Sequence, residues 1–279
     1  MSFMWNTSIL PILAFMRHAN FPEDAIVSYS LFFKAQILPL LCPPETVTYP
    51  SWMTDDHTPL EFSLAIGKTG DPLVRFAVEP SVLPSTGDRS ISSLRKILQR
   101  LSFSLAIKPD FDLDWFNICA EEVLLADTQQ APQPKGHPVS ETFLGFDCSH
   151  YSATIKVYFM PRIRALVTKE TPDEMMARLT SRLGLEKPWA KVTHFLSHFL
   201  LEDRPGIEIV AVDCVQAAQN RLKIYFRTDI LSYSHMEYFL TLGDALPATE
   251  VAASLQNARR LWATLTEHPP NHRDTFRQA

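Results

Sequence analysis

Lys156-Val157-Tyr158-Phe159 and Arg221-Leu222-Lys223-Ile224-Tyr225-Phe226 alternate a cationic or phenolic side chain with an apolar one. Alternate residues of a strand share a face. Lys156 and Tyr158 therefore point one way, as do Arg221, Lys223 and Tyr225, while Val157, Phe159, Leu222, Ile224 and Phe226 point the other. Each stretch reads as a strand with one oily side and one side of cations interleaved with phenols.

Working outward, three strand pairs carry this polarity. The first is 60–66 with 73–78, joined by a Gly-Lys-Thr-Gly-Asp turn at 67–71; the second is 142–148 with 153–160; the third is 207–213 with 221–227. Glu61 and Ser63 oppose Phe62 and Leu64, and Arg75 opposes Val74 and Phe76. Helices are expected between the pairs. Phe21-Pro22-Glu23-Asp24 opens one that runs on through Phe32, Phe33 and Ile37; Leu94, Ile97, Leu98 and Leu101 space another over 92–105. Asp112 caps a third, Thr171-Pro172-Asp173-Glu174 starts a fourth ending at Gly184, and Pro188 starts a fifth through Phe199. Residues 232–240 and 249–266 complete the set, the last carrying Val251, Leu255 and Leu261 toward a core. Residues 126–140, rich in Gln and Pro, read as an exposed loop, and a second loop starts near Pro161. The spacing suggests one repeated helix–hairpin–helix unit. The charged faces either meet inside a barrel with a wet lumen or form an open sheet facing solvent; pattern alone favours the open sheet.

The 279 residues are 46% hydrophobic and 20% charged, enough for one large domain or two ordinary ones. A net charge of −5 argues against broad nucleic-acid binding, so any cationic site is local. No apolar run reaches the roughly 20 residues of a membrane span, and Pro11 interrupts the apolar N-terminus, which lacks a basic leader. Cys42, Cys119, Cys148 and Cys214 stand far apart without a CxxC pair, as buried thiols of a reducing compartment do. The expectation is a soluble cytoplasmic protein.

Arg75, Lys156, Arg221 and Lys223 together suit a diphosphate. They would hold it and stabilise the charge it gains on leaving an allylic carbon, without a metal. Tyr158 and Tyr225, each two residues from a cation, would shield an allylic cation by cation–π attraction. Glu61 has two readings: acceptor of an indole N–H that orients an aromatic nucleophile and assists loss of its proton, or salt-bridge partner of Arg75.

These residues carry a resemblance. Thr54-Asp55-Asp56-His57-Thr58-Pro59-Leu60-Glu61, Val74-Arg75-Phe76 and Glu79-Pro80 resemble the fungal indole prenyltransferases of the dimethylallyl tryptophan synthase type. So do Leu144-Gly145-Phe146-Asp147, Lys156 through Pro161, Val212-Asp213-Cys214, Arg221 through Thr228, and Thr241-Leu242-Gly243. The resemblance covers nearly the whole chain and implies one prenyltransferase domain over 1–279. The implied fold is α+β, an ABBA-type antiparallel β-barrel surrounded by helices, here partial with about six strands. It implies metal-independent and cofactor-free transfer of dimethylallyl from dimethylallyl diphosphate to an indole, a tryptophan derivative or cyclic dipeptide, in fungal alkaloid metabolism. By matching position Glu61 is similar to the indole-binding glutamate and Arg75, Lys156, Arg221 and Lys223 to the diphosphate ligands. Tyr158 and Tyr225 match the cation-shielding tyrosines, and Met53 a residue of the aromatic-substrate pocket. Family members continue through two further strand pairs beyond the position of Ala279. Six strands leave unpaired edges, so self-association, for example as a homodimer, is expected. The alternative reading is a catalytically inactive shortened homologue that serves as a binding or assembly partner. Members alkylating free tryptophan at C4 are thought to use a lysine in the strand matching 142–148, which has none here.

Other motifs carry less. Asp55-Asp56 lacks the third aspartate of a magnesium-binding run, since Pro59 stands there. His194 and His198 lack the glutamate of a zinc protease, Phe195 occupying its place. Gly67-Lys68-Thr69-Gly70 lacks P-loop spacing, and Arg259-Arg260 reads as a solvated helix face.

Overall fold

The computed structural model describes residues 2–41, 51, 53–54, 58–65, 73–80, 91–104, 107–127, 141–200, 203–266 and 276–277. In chain order the elements are α1 (Ser2–His18), α2 (Glu23–Phe32), β1 (Leu60–Ala65), β2 (Leu73–Val78), α3 (Ile91–Ser102), α4 (Asp114–Val123), β3 (Thr142–Cys148) and β4 (Ala153–Phe159). There follow α5 (Arg162–Thr168), α6 (Pro172–Arg182), α7 (Glu186–Leu196), β5 (Gly206–Asp213), β6 (Lys223–Arg227), β7 (Ile230–Leu231), α8 (Tyr233–Leu240), α9 (Ala248–Thr266) and β8 (Phe276–Arg277). They form two compact units, Met1–Leu183 with Glu208–Ile224, and Gly184–Ile207 with Tyr225–Ala279.

The first unit is organised on a sheet of strand order β1-β2-β3-β4-β5-β6, antiparallel from β1 through β5. Register aligns Leu60, Val78, Leu144, Val157 and Val212 in one buried row. Phe62, Phe76, Phe146 and Ile155 form the next. Helices cover this face. Phe76 and Phe146 stack at 4.5 Å; Phe32 meets Phe146 edge-on at 5.7 Å, Phe33 tilts onto Phe76 at 5.6 Å, and Phe116 packs on Phe159 at 5.9 Å. Each buried phenylalanine contributes about 1.5–3 kcal/mol. The strands thus expose their oil to helices and turn their polar residues to the other side, as alternation predicted.

Local chemistry sets the helix ends. Thr171 accepts from the Glu174 N–H and Glu174 accepts in return from the Thr171 N–H, the predicted capping box, and Gly184 leaves the helix at φ 69°. α4 has Leu113 rather than the expected Asp112 at its N-cap; Asp112 stands one residue earlier and accepts from the Asp114 N–H at 2.7 Å. Past α2 the chain continues as a π-turn over Phe33–Ile37 and a 3₁₀ turn over Leu38–Leu40.

Several expectations need correction. α1 is an addition to the helices expected; Pro11 lies inside it, Ile9, Ile12, Leu13 and Met16 bury one side of it, and it packs on β1 and β2. The segment after Pro161 is helix, not loop. Pro161 precedes α5, and Arg164 Nη1 donates to the carbonyls of Glu121 (2.6 Å) and Leu124 (3.0 Å), tying α5 to the end of α4. α7 begins and ends earlier than expected, and β6 begins at Lys223, so Arg221 lies outside the strand. The 67–71 turn, most of the 126–140 loop, Asp55, Asp56 and Cys42 lie outside the described residues. Cys119, Cys148 and Cys214 are free and buried, and burial pushes all three thiols up.

The second unit packs α7, α8 and α9 around aromatic rings. Phe195 contacts Phe199, Tyr238 and Phe239 at 5.2–5.3 Å. Gly243, at φ 65°, admits the Tyr238 ring, whose hydroxyl would stand 2.9 Å from an added Cβ. In α9 Val251 and Trp262 are buried, but Leu261 is exposed, contrary to expectation. Arg259 is largely exposed beside the Tyr233 ring, and His194 and His198 are an exposed edge-on pair.

Candidate functional site

The polar sheet face assembles the first unit's predicted residues. Register places Glu61, Ala77, Gly145, Lys156 and Asp213 in one row across β1 to β5. Ser63, Arg75, Asp147 and Thr154 form the row beside it, and Phe143, Tyr158 and Ala211 the row on its other side.

Charge alternates along this surface. Arg75 Nε stands 3.0 Å from Asp147 Oδ1, and its Nη2 donates to Asp147 Oδ2 at 3.4 Å. Lys156 also donates to Asp147 Oδ2, and its Nζ lies 3.8 Å from Asp213 Oδ1. Lys223 donates to Asp213 Oδ1 at 3.1 Å, and Arg221 Nε lies 4.0 Å from Asp213 Oδ2. The Lys156 side chain is only 5% exposed whereas Arg221 is 68% exposed, so the Arg221 contact counts for little and the Lys156 contacts for much. The four predicted cations thus meet two carboxylates and exceed them by two. Burial pushes the Lys223 ammonium below the ordinary lysine range and nearby Lys156 pushes the same way, while Asp213 opposes both.

The connection between β5 and β6 is held by Asn220. Its Oδ1 accepts from the N–H groups of Asp213 (3.2 Å) and Arg221 (2.9 Å), and its Nδ2 donates to the carbonyls of Asp213 (2.6 Å) and Val215 (3.2 Å).

Tyr158 leans over Gly145: a Cβ built there would stand 2.7 Å from Tyr158 Cε2. Only a glycine leaves this ring its place beside Lys156. Glu61 is exposed and shares the Lys156 row three strands away, about 14 Å by ordinary strand spacing. The expected alternative of an Arg75–Glu61 salt bridge is not formed; Arg75 is taken by Asp147, the residue opposite it on the neighbouring strand. Tyr225 follows Lys223 by two on β6, hence on the same strand face, and is 43% exposed. Met53 is half-buried; its N–H donates to Ser51 Oγ, which donates in turn to Glu79 Oε2. Of the predicted residues, the structure joins Arg75, Lys156, Lys223 and Arg221 through shared carboxylates, sets Tyr158 beside them and Glu61 in their row. Met53 stands in a separate chain of hydrogen bonds through Ser51 to Glu79, and Tyr225 belongs to the second unit.

Asp147, Asp213 and Asn220 were missed. The signal was present: Asp147 and Asp213 fall at polar-face positions of strands correctly read, and a cluster of cations on a half-buried face needs counter-charge. Among the described residues no group of three His, Cys, Asp or Glu side chains is placed to hold a metal ion, and no helix is long and apolar enough to cross a membrane.

Residues 2–278 match the family model described as tryptophan dimethylallyltransferase. Over 282 residues the chain is 30% identical to 4-O-dimethylallyl-L-tyrosine synthase of Claviceps purpurea, covering 96% of this chain and 63% of that protein. Over 287 residues it is 23% identical to a 7-dimethylallyltryptophan synthase of Aspergillus fumigatus, covering 94% and 61%. The chain therefore spans a little over three-fifths of the length of these relatives. Among solved structures it is similar to AnaPT from Neosartorya fischeri (TM-score 0.79, 21% identity, 91% of this chain and 67% of that one). It is also similar to NotF in complex with brevianamide F and DMSPP (TM-score 0.75, 20% identity, 92% and 67%). These likenesses show the fold: the ABBA-type antiparallel architecture that the sequence led us to expect, present among the described residues as a six-stranded sheet with helices.

Proposed function

Because the chain belongs to the tryptophan dimethylallyltransferase family, we propose that it is an aromatic prenyltransferase, moving a dimethylallyl group from dimethylallyl diphosphate to an indole acceptor. The observation that carries this reading is the nearly buried Lys156 flanked by Asp147 and Asp213, with Arg75 and Lys223 drawn to the same carboxylates. The surplus of cations suits a diphosphate, whose charge rises as it departs. The C1–O bond of the diphosphate ester breaks and its electron pair leaves with the diphosphate. Arg75, Lys156, Lys223 and Arg221 take up that charge, so the proposal assigns the counter-charge to side chains and calls for no cofactor. Tyr158 presents its ring face to the allylic cation and keeps water from it; Tyr225 is assigned the same role from its matching position in the sequence. The acceptor ring supplies the electron pair for the new carbon–carbon bond, and the displaced ring proton passes to Glu61, which also accepts the indole N–H. Met53 borders the acceptor.

A second acceptor is favoured by one finding: the relative at 30% identity is named for O-prenylation of tyrosine. There the phenol oxygen supplies the electron pair and its proton is lost. The same reading places the work in the cytoplasm, and lets β1, paired on one side only among the described residues, take part in self-association.

The test is to incubate purified chain with dimethylallyl diphosphate and, separately, tryptophan, a tryptophan-containing cyclic dipeptide and tyrosine. Mass spectrometry reads a C5H8 gain. Transfer that disappears in Lys156→Ala with the far-UV spectrum retained supports the proposal. A folded chain that transfers to none of these acceptors refutes it and favours the inactive binding homologue.

A further inference from the structure

Asp213 faces three cations of the site. It accepts from Lys223 at 3.1 Å, stands 3.8 Å from Lys156 and lies 4.0 Å from Arg221. Its own N–H and carbonyl are both held by the Asn220 amide. We propose that Asp213 is the positioning residue of this site: its carboxylate holds the Lys156 and Lys223 ammonium groups beside one another, and Asn220 holds Asp213. The proposal rests on reading these cations as a diphosphate seat.

Lys156 on β4 and Lys223 on β6 lie on either side of β5, the strand that carries Asp213; their ammonium groups repel, and burial removes the water that would separate their charges. The charged and titratable groups on this face are Glu61 from β1, Arg75 from β2, Asp147 from β3, Lys156 and Tyr158 from β4, Asp213 from β5 and Arg221 from the connection, and on its own strand face Lys223 is followed by Tyr225 and Arg227. Of the two carboxylates, Asp147 is shared by Arg75 and Lys156, which leaves Asp213 as the counter-ion of Lys223. One oxygen, Asp213 Oδ1, serves both lysines, so the pair is already spaced for a single bridging acceptor. An oxygen of a diphosphate replaces it there without the lysines having first to be gathered, a cost otherwise charged against binding. Asn220 supports this by fixing the start of the segment that carries Arg221 and Lys223 to the backbone of Asp213 itself.

Two measurements on the full chain test it. In the ligand-free protein, the Lys223 side chain is titrated by NMR in wild type and Asp213→Asn. Separately, calorimetry follows the affinity for inorganic diphosphate across pH. Loss of the carboxylate moves the Lys223 titration to lower pH. The affinity of Asp213→Asn then fails at lower pH than wild type, roughly tenfold weaker on the alkaline limb with the gap narrowing toward neutrality, as one unit of pKa is one factor of ten. Asp213→Glu recovers most of it. A Lys223 titration identical in wild type and Asp213→Asn overturns the proposal, and so does a loss of affinity of equal size at every pH. Wild type that binds no inorganic diphosphate sinks the diphosphate reading, while the lysine titration still decides the role of Asp213. Should Asp213→Asn fail to fold, Asn220→Ala leaves every charge in place but releases the Asp213 backbone from the connection that carries Arg221 and Lys223, so that Asp213 and Lys223 are no longer held in place; an unchanged Lys223 titration in that variant overturns the proposal.

Discussion

Deleting the Lys156–Asp147 ion pair from one side should cost far more than deleting it from the other. In Asp147→Asn, Lys156 remains 5% exposed and keeps only Asp213, 3.8 Å away, as a charged partner. Breaking a buried pair by removing one member typically costs about 3–5 kcal/mol, because the survivor stays desolvated and uncompensated. Asp213 recovers part of this, and the other orphan, Arg75, is about a third exposed and finds water. The expected loss is about 2–3 kcal/mol, which at roughly 2–4 °C per kcal/mol for a unit of this size lowers Tm by about 5–10 °C. In Lys156→Met an apolar chain of similar length fills the same space. Asp147 keeps Arg75 at 3.0 Å and Asp213 keeps Lys223 at 3.1 Å, so neither carboxylate is stranded. The expected change is within about 1 kcal/mol, since an apolar replacement of a buried charge is often neutral. Urea unfolding of the two variants, repeated at low and high salt, measures the order; a buried pair responds weakly to salt. Lys156→Met destabilising as much as Asp147→Asn, or losses that vanish at high salt, would refute the reasoning that burial of the lysine governs the energetics of this face.

Glu61→Gln should leave the fold intact, because Glu61 is exposed, yet slow transfer by roughly 10²–10⁴-fold, as loss of a general base does; product formation by mass spectrometry checks this. Gly145→Ala brings a Cβ to 2.7 Å from the Tyr158 ring and should cost about 1–3 kcal/mol, a cost that disappears when Tyr158 is also replaced by alanine; thermal melts of the four combinations read it. For pH, burial raises the Glu122 carboxyl, but hydrogen bonds from Arg182 and Arg178 outweigh it and hold the group below its ordinary 4.5. A depressed folded-state value means the stability is fully present above 4.5 and is lost as pH falls through the depressed value. Glu122→Gln should therefore flatten the acid limb of the stability profile, and an acid limb unchanged by that substitution contradicts the assignment.

The strand pairs and most helices were legible because their determinants are local. Alternation set the faces of β2, β3 and β4 within a residue at each end, and the Thr171–Glu174 capping box lies within four residues. Where local rules failed, a tertiary partner had overridden them. The segment after Pro161, read as a loop, is a helix fastened by Arg164 to backbone carbonyls some forty residues away. The salt bridge considered for Glu61 failed for the same reason: in register with Arg75 on β3 stands Asp147, 72 residues on, and nothing near Arg75 in the chain announces it.

By itself the sequence determined which side chains share a strand face, and hence that Arg75, Lys156, Lys223 and the two tyrosines belong to polar surfaces while the phenylalanines belong to a core. It did so because side-chain direction repeats every two residues along a strand, whatever the rest of the molecule does. Only the tertiary structure decided that Asp147 and Asp213 stand between those cations, that Gly145 makes room for Tyr158, and that Lys156 is the buried member. Strand register and burial come from pairings between distant parts of the chain, and the strength of a charge contact depends on the water those pairings exclude.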